Sequence, residues 1–422
     1  MNNLKMNNCL IILNQQPFIP PFMLSAITCA KDRYDDVYYV NTKQPNNKSI
    51  FRNSNNVHFL DPSPSANIIA MGKAVLSLFS AVVFSDVRKC IKEKGFSFHI
   101  IKLFLLEQYV HQRLFPIAKG VIRNKKTNSH ITLLSTWFDA CAYTAATLKQ
   151  TFPSVKAVSM AHSYEILTIR NPYVPYKHIE FKHHHLDGVF FISHIIREMY
   201  LSGIGGLPKQ YVDKTHVCYL GTYKDNDLLN HIDESIFNIC TCSRVVALKR
   251  LDVLMEALKG WNYGKIRWTH MGDGPLLENM KKEAESVINS NPMVEITFTG
   301  RIPNEAVKAY YAEHPIDVFV NLSDIEGLPI SIMEAISYGI PVIATNVGGT
   351  SEIVNSETGF LLDADITPES VKNALLNYYN YGLETKKRLR DSAFNYWKVN
   401  FDAKTNLKVF FNQVDDLNIK NI

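Results

Sequence analysis

Residues 318–335 read Val318-Phe319-Val320-Asn321-Leu322-Ser323-Asp324-Ile325-Glu326-Gly327-Leu328-Pro329-Ile330-Ser331-Ile332-Met333-Glu334-Ala335. A short β-branched and aromatic run stops at Asn321, and an apolar segment of helical character begins after Pro329, so the stretch joins a strand to a helix through a glycine. Gly327 lets backbone amides come close to a ligand, and Pro329 stands where a helix can begin without losing a needed N–H. The helix start offers unpaired N–H groups and a positive dipole end, suited to phosphate or a polar sugar. Glu334, about one turn further in, can accept hydrogen bonds from a vicinal diol. A carboxylate cannot bind phosphate, so amides and cations must serve the phosphate and carboxylates the hydroxyls.

The same strand-then-helix alternation extends in both directions. Toward the C-terminus a strand is expected at Pro341 to Thr345. Toward the N-terminus strands are expected at Val294 to Phe298, Ile266 to Met271 and Ile236 to Cys242, with a helix from Arg250 to Leu258. The polar linker Thr222 to Asp227 precedes this set, and a second set lies before it: Asn8 to Asn14, Asp36 to Val40, Ile131 to Ser135, Val155 to Met160 and Gly188 to Ser193. Alternation of this kind predicts an α/β chain of two facing doubly wound, Rossmann-like domains with ligands at the carboxyl ends of the strands. The expected division is residues 1–222 and 223–394, with the helical, aromatic-rich tail, about 395–422, returning to complete the first domain. At 422 residues, 46% hydrophobic and 20% charged, the chain is long enough for two such cores.

Cations follow the first strand of the second domain in Ser243-Arg244-Val245-Val246-Ala247-Leu248-Lys249-Arg250. Arg244 can present a bidentate fork to a diphosphate, while Lys249 adds a compact charge from the next helix start. An Arg-x4-Lys pair or two glutamates eight apart would alone be ordinary surface residues, and Gly272-Asp273-Gly274 lacks the third glycine of a dinucleotide fingerprint. Their joint order is what carries meaning.

From Cys242 to Leu362 that order resembles the nucleotide-sugar domain of the family 4 type of retaining glycosyltransferases, of the glycosyltransferase B fold. The matching residues are Arg244, Lys249, Gly272-Asp273-Gly274-Pro275, Phe298-Thr299-Gly300, Glu326 with Glu334, and Gly348 to Val354. The resemblance implies that Glu326, beside Gly327, Leu328 and Pro329, contacts the donor sugar, Glu334 the ribose, and Arg244 and Lys249 the diphosphate. Gly300 and Arg301 would lie near the nucleobase. It further implies retention of anomeric configuration without a carboxylate nucleophile, the departing phosphate helping to deprotonate the acceptor. Fixed cations at that leaving group stabilise the transition state more than the ground state.

In the first domain Met160-Ala161-His162-Ser163-Tyr164-Glu165 resembles the family's His-Gly-Tyr-Asp segment, which implies a cleft role for His162 near the transferred sugar. Ser163 and Glu165 replace the usual glycine and aspartate. Asn14-Gln15-Gln16-Pro17-Phe18-Ile19-Pro20-Pro21 stands where the family has a glycine-rich loop, so acceptor contacts are not carried over. The segments Ala161 to Tyr164 and Leu220 to Tyr223 resemble bacterial enzymes of capsule, exopolysaccharide or lipopolysaccharide O-antigen assembly. That implies a hexose-type donor, a lipid-linked saccharide acceptor and work at the inner face of the plasma membrane. A nucleotide-sugar epimerase and a non-catalytic nucleotide-sugar- or membrane-binding subunit are the alternative readings.

No cofactor and no divalent metal are expected. The two Asp-x-Asp matches, Asp225-Asn226-Asp227 and Asp363-Ala364-Asp365, read as turns, and His183-His184-His185 on a helix cannot point one way together. Seven scattered cysteines without CxxC pairs read as reduced core thiols. The net charge of +5 does not call for nucleic acid. Between Asp61 and Lys126, however, eleven basic residues face four acidic ones, a local excess of +7, interleaved with apolar Ala74 to Phe79 and Ile100 to Leu106. Such helices suit either a core element with a solvated charged side or an anionic membrane surface. No apolar run reaches the ~18 residues of a membrane span, and the start lacks a signal pattern, so a cytoplasmic, peripheral protein is expected.

Overall fold

A computed structural model describes residues 7–417, apart from 65, 126–128, 169–171, 174–176, 225 and 227. The linker aspartates Asp225 and Asp227, and Lys126 of the basic tally, lie outside the described residues. The chain forms two compact units, Met1–Cys218 with Lys404–Ile422, and Tyr219–Ala403. Their borders fall four residues before the expected 222/223 division and nine after the expected 394/395 return.

In the first unit Cys9 to Leu13 are all fully buried, so both faces of that strand are covered, as a parallel sheet between helical layers requires. Its strands are β1 (Asn8–Asn14), β2 (Asp36–Asn41), β3 (Val57–Leu60), β4 (His130–Ser135), β5 (Lys156–Ala161), β6 (Gly188–Phe191) and β7 (Thr215–Val217). They pair in the order β3-β2-β1-β4-β5-β6-β7, every pair parallel. Its helices are α1 (Pro21–Ala30), α2 (Ala66–Ser77), α3 (Ala81–Lys94), α4 (Phe98–Asn124), α5 (Ala140–Thr151), α6 (Ser163–Ile166), α7 (Ile179–His185), α8 (His194–Gly203) and α9 (Lys209–Val212).

The second unit repeats the plan with β8 (Phe237–Cys242), β9 (Ile266–Met271), β10 (Val294–Phe298), β11 (Val318–Asn321), β12 (Val342–Thr345) and β13 (Gly359–Leu362). Their order is β10-β9-β8-β11-β12-β13, again wholly parallel. The reversal of order between β8 and β11 is a topological switch point, where such sheets open a crevice at their carboxyl edge. The helices are α10 (Leu251–Lys259), α11 (Leu277–Ser290), α12 (Asn304–Glu313), α13 (Ile330–Ser337), α14 (Pro368–Tyr379) and α15 (Leu383–Asn400).

The tail differs from one continuous helix. Thr222 N donates to Phe401 O at 2.9 Å and Ala403 N to Thr222 O at 3.1 Å, taking backbone groups that helix propagation would need. The chain therefore breaks there and resumes as α16 (Ala403–Asp416), which packs on the first unit. Its Leu407, Phe410, Phe411 and Val414, spaced i, i+3, i+4 and i+7, are all buried. Lys156 Nζ donates to the carbonyls of Val414 and Asp415 at 2.8 and 2.6 Å, a favourable cation at a helix C-terminus.

Among the described residues no single helix is long and apolar enough to cross a membrane; the bent pair α2 and α3 passes only together, at 66°. All seven cysteines are unbridged, and five are buried.

Candidate donor site and histidine pocket

Glu326 lies in the turn between β11 and α13, and three donors converge on one of its oxygens. Lys249 Nζ donates to Oε1 at 2.5 Å, Ser323 Oγ at 2.6 Å and Asn321 Nδ2 at 3.3 Å. All three bonds end on Oε1, so Oε2 is the oxygen left for a ligand. Lys249 comes from a different βα connection, a 3-10 turn at Ala247–Lys249, not from the start of α10 as expected. An ammonium has three donors, and one is committed to Glu326, so two remain for an anion.

The loop that carries Glu326 is clamped by its neighbours. Asp324 N donates to Leu248 O at 2.9 Å and Gly349 N to Gly327 O at 2.7 Å, while Thr345 Oγ1 donates to Ser323 O at 2.6 Å. Gly348, at φ 53°, passes so close that a Cβ there would sit 2.0 Å from Glu326 O. Only glycine permits that approach, which places the Gly348–Glu352 turn directly against the Glu326 loop.

Glu334 faces inward on α13 and is buried. Asn304 Nδ2 donates to its Oε1 at 2.8 Å. Burial raises its pKa, against the opposing pull of the Asn304 bond and Lys308. Leu328 and Pro329 are buried beneath the turn, and α13 begins after Pro329.

Beside this carboxylate pair a cavity of about 560 Å³ opens at the ends of β8 and β9, lined by Ser243, Arg244, Gly272, Asp273, Gly274 and Arg301, among others. Its volume lies in the ~300–1,000 Å³ range of small-molecule sites. Gly272, at φ 151°, would put a Cβ 1.8 Å from Ser243 O, so the cavity floor depends on a bare backbone. Gly272 N donates to Gly300 O at 3.0 Å, which joins the Gly300-Arg301 turn to that floor. Arg244 and Arg301 are exposed and form no ion pair among the described residues. Arg250, by contrast, is spent on Asp324 at 3.0 Å. The structure thus gathers Arg244, Lys249, Gly300, Arg301, Glu326, Gly327, Leu328, Pro329 and Glu334 at one edge of one sheet.

Asn321, Ser323 and Asn304 were not singled out in the sequence. The first two stand at the end of β11 within five residues of Glu326, a local signal. Asn304 lies 30 residues from Glu334, and only the fold brings it there.

His162 belongs to the first unit, directly after β5. Its Nε2 lies 3.2 Å from Thr136 O; a carbonyl only accepts, so Nε2 carries the proton and Nδ1 keeps the lone pair. The ring sits between Phe22 and Trp137, with centroids at 4.7 and 4.6 Å. Burial in that aromatic setting lowers its pKa to about 4, only partly opposed by the Thr136 bond. Glu165, in the family's aspartate position, accepts from His162 N at 2.7 Å and from Phe138 N at 3.4 Å. It fixes the backbone at His162, and burial pushes its own pKa up to about 8.

No group of three His, Cys, Asp or Glu suited to a metal occurs among the described residues. Asp363 and Asp365 are exposed just after β13, and His183 is buried against Tyr200, 3.0 Å from its hydroxyl.

The basic helices of the first unit divide between the two readings of their pattern. On α4, Ile100 and Phe104 are buried, as in a core helix. On α2, α3, the turns beside them and the first turn of α4, Ile68, Leu76, Phe79, Phe84, Phe96 and Phe98 are all more than half exposed. Lys73, Arg88, Lys89, Lys92, Lys94 and Lys102 are exposed among them. Solvation of a charged side does not account for that outward apolar set.

Comparison with known proteins finds a family match in the same unit. The family model described as glycosyl transferases group 1 matches residues 230–396, which lie wholly within the second unit. A putative teichuronic acid biosynthesis glycosyltransferase of Bacillus subtilis is 26% identical over 170 residues, 40% of each chain. An O-antigen biosynthesis glycosyltransferase of Escherichia coli, WbnH, is 34% identical over 93 residues, 22% of this chain and 24% of that one. The matched stretch spans less than half the length of these relatives. Among solved structures, Anabaena HepE in complex with UDP is similar over 98% of this chain and 100% of that chain, at TM-score 0.66 and 15% identity. The apo lipopolysaccharide outer core galactosyltransferase WaaB is similar over 96% and 99%, at TM-score 0.62 and 12% identity. Residues 230–396 thus belong to the glycosyl transferases group 1 family, on a chain with the two-domain glycosyltransferase B fold.

Proposed function

We propose that this chain is a retaining glycosyltransferase that moves a hexose-type sugar from a nucleoside-diphosphate donor to a saccharide acceptor carried on a lipid, in the assembly of a surface polysaccharide or glycolipid. The observation that carries the reading is the Lys249–Glu326 pair, set beside the cavity that Arg244 and Arg301 line. In this reading the two free N–H groups of Lys249 and the fork of Arg244 hold the diphosphate. Negative charge grows there as the glycosidic bond breaks, so cations fixed in advance lower the barrier. Glu326 Oε2 accepts from hydroxyls of the donor sugar, and Glu334 from the ribose diol. His162, neutral with Nδ1 unprotonated, offers an acceptor to the transferred sugar. The departing phosphate takes the acceptor proton, the course that the family resemblance implies.

The names of the relatives support the class of product. They include teichuronic acid, O-antigen and phosphatidylinositol monomannoside enzymes, and HepE was crystallised with UDP-glucose. The outward apolar and cationic residues of α2 and α3 support a docked position on an anionic bilayer, where a lipid-linked acceptor resides.

The test is a screen of UDP- and GDP-sugars by thermal shift, followed by transfer to lipid-linked saccharides with NMR of the product. A donor at 100 times its Kd stabilises the folded chain by about 2.7 kcal/mol. The expected product keeps the anomeric configuration of the donor. An inverted anomer, or an epimerised donor formed without acceptor, overturns the reading.

A further inference from the structure

Among the described residues only His178 and Arg250 are non-glycines in the left-handed region of φ. Arg250 stands at φ 48° and ψ 38°, directly after Lys249, as the cap residue of α10. The side chain of an L-residue crowds the following carbonyl in that conformation, which glycine alone enters freely. Nor does an arginine suit the cap: it has no side-chain oxygen to accept from the first helical N–H groups, and it makes no capping bond here. Glycine would serve the backbone better on both counts. The reason for an arginine therefore lies in its side chain.

That side chain closes a bracket around Lys249. Arg250 Nη1 donates to Asp324 Oδ1 at 3.0 Å, and the Asp324 amide donates to Leu248 O at 2.9 Å. One residue of the β11–α13 turn thus holds the neighbours of Lys249 on both sides. Two positions further along the same turn, Glu326 accepts from Lys249 Nζ. The 3-10 turn Ala247–Lys249 closes with Lys249 N donating to Val246 O and Arg250 N to Ala247 O, both at 3.0 Å. A right-handed residue at 250 would run that turn on into α10 and carry Lys249 round with it; the left-handed one breaks the run. The Arg250 and Asp324 side chains are 32% and 41% exposed, and a pair so solvated adds little stability. What it fixes is position. We propose that Arg250 is a positioning residue: tied to Asp324 in a strained backbone conformation, it fixes the ammonium of Lys249 where the donor diphosphate binds, in the transferase reading on which this inference rests.

The probe is UDP, with GDP in parallel, titrated into the full chain by calorimetry beside urea unfolding of each variant. Arg250→Gly relieves the backbone and breaks the tie to Asp324. Its urea midpoint should hold or rise while UDP binding weakens roughly tenfold, as for one charge-assisted hydrogen bond. A residue that served stability alone would not give that pair of results. Asp324→Ala should weaken UDP binding to the same extent, and Arg250→Lys, which keeps a cation for Asp324, should recover most of the loss. In a Lys249→Ala background Arg250→Gly should cost nothing further, because Arg250 acts through Lys249. A lower urea midpoint in Arg250→Gly, or a loss of affinity that persists undiminished without Lys249, would overturn the positioning role. If the wild type binds UDP or GDP and Arg250→Gly binds it equally well, the positioning role fails and the donor reading stands. If the wild type binds neither nucleotide, the donor reading fails and this inference with it.

Discussion

Replacing Glu326 by glutamine separates a catalytic role from a structural one, because of where its hydrogen bonds end. The Lys249, Ser323 and Asn321 bonds all fall on Oε1, and the carbonyl oxygen of a glutamine can accept all three. What Glu326→Gln removes is the charge and the acceptor at Oε2. The Lys249 and Glu326 side chains are 21% and 12% exposed, so the charge loss should cost about 1 kcal/mol of stability, the upper end for partly solvated pairs. Against a typical domain stability of roughly 5–15 kcal/mol the chain stays folded. If Oε2 holds the donor sugar in the transition state, turnover should fall by about 100-fold, the loss of one preorganised polar contact. Glu326→Ala should instead strand three donors and cost roughly 3 kcal/mol in folding as well. Urea unfolding, UDP titration and initial transfer rates on the wild type and both variants measure the three quantities. Turnover of Glu326→Gln within a few-fold of wild type would refute the assignment of Oε2 to the sugar, as would equal destabilisation by Gln and Ala.

Three further outcomes follow from other parts of the molecule. Glu165 is pushed up to about 8 from an ordinary 4.5, so the folded state keeps a proton that the unfolded chain loses; its contribution is full below pH 4.5 and lost as pH rises to about 8. His162, lowered from 6.5 to about 4, acts oppositely between those values, so the clean window is pH 6.5–8: there wild-type Tm should fall, and Glu165→Gln should flatten the fall. Charge reversal at Lys89, Lys92 and Lys94 should weaken binding to phosphatidylserine vesicles at least roughly 100-fold, at about 1 kcal/mol per lysine, and leave UDP affinity unchanged; undiminished vesicle binding would remove the membrane reading. Transfer should persist in excess EDTA, and a complete loss restored by Mn²⁺ would sink the metal-free mechanism.

The parts of the fold legible in the sequence were those written locally. β9, β10 and β11 begin and end at the expected residues, because each stands out from its flanking turns: β11 as a fully buried run, and β10 as Val294, Ile296 and Phe298 alternating with exposed Glu295 and Thr297. β3 and β7 escaped notice for the converse reason: Val57–Leu60 is mostly half-buried and Thr215–Val217 is only three residues long, so neither makes a run. The site divides the same way. Glu326, Arg244 and Lys249 are legible through their joint order along the chain, each near a strand-to-helix turn, and turns of a parallel sheet must converge at its carboxyl edge. The residues that fix their geometry were not found, since Asn304 reaches Glu334 across 30 residues. The substitution of Glu165 for the family's aspartate shows what such distance conceals. In the sequence it is only a departure from the family's pattern. In the structure its longer side chain reaches the amides of both His162 and Phe138 with one oxygen, and its second oxygen is buried without a hydrogen-bond partner among the described residues. The departure therefore holds the histidine's backbone in place through a carboxyl group whose burial keeps it protonated to about pH 8.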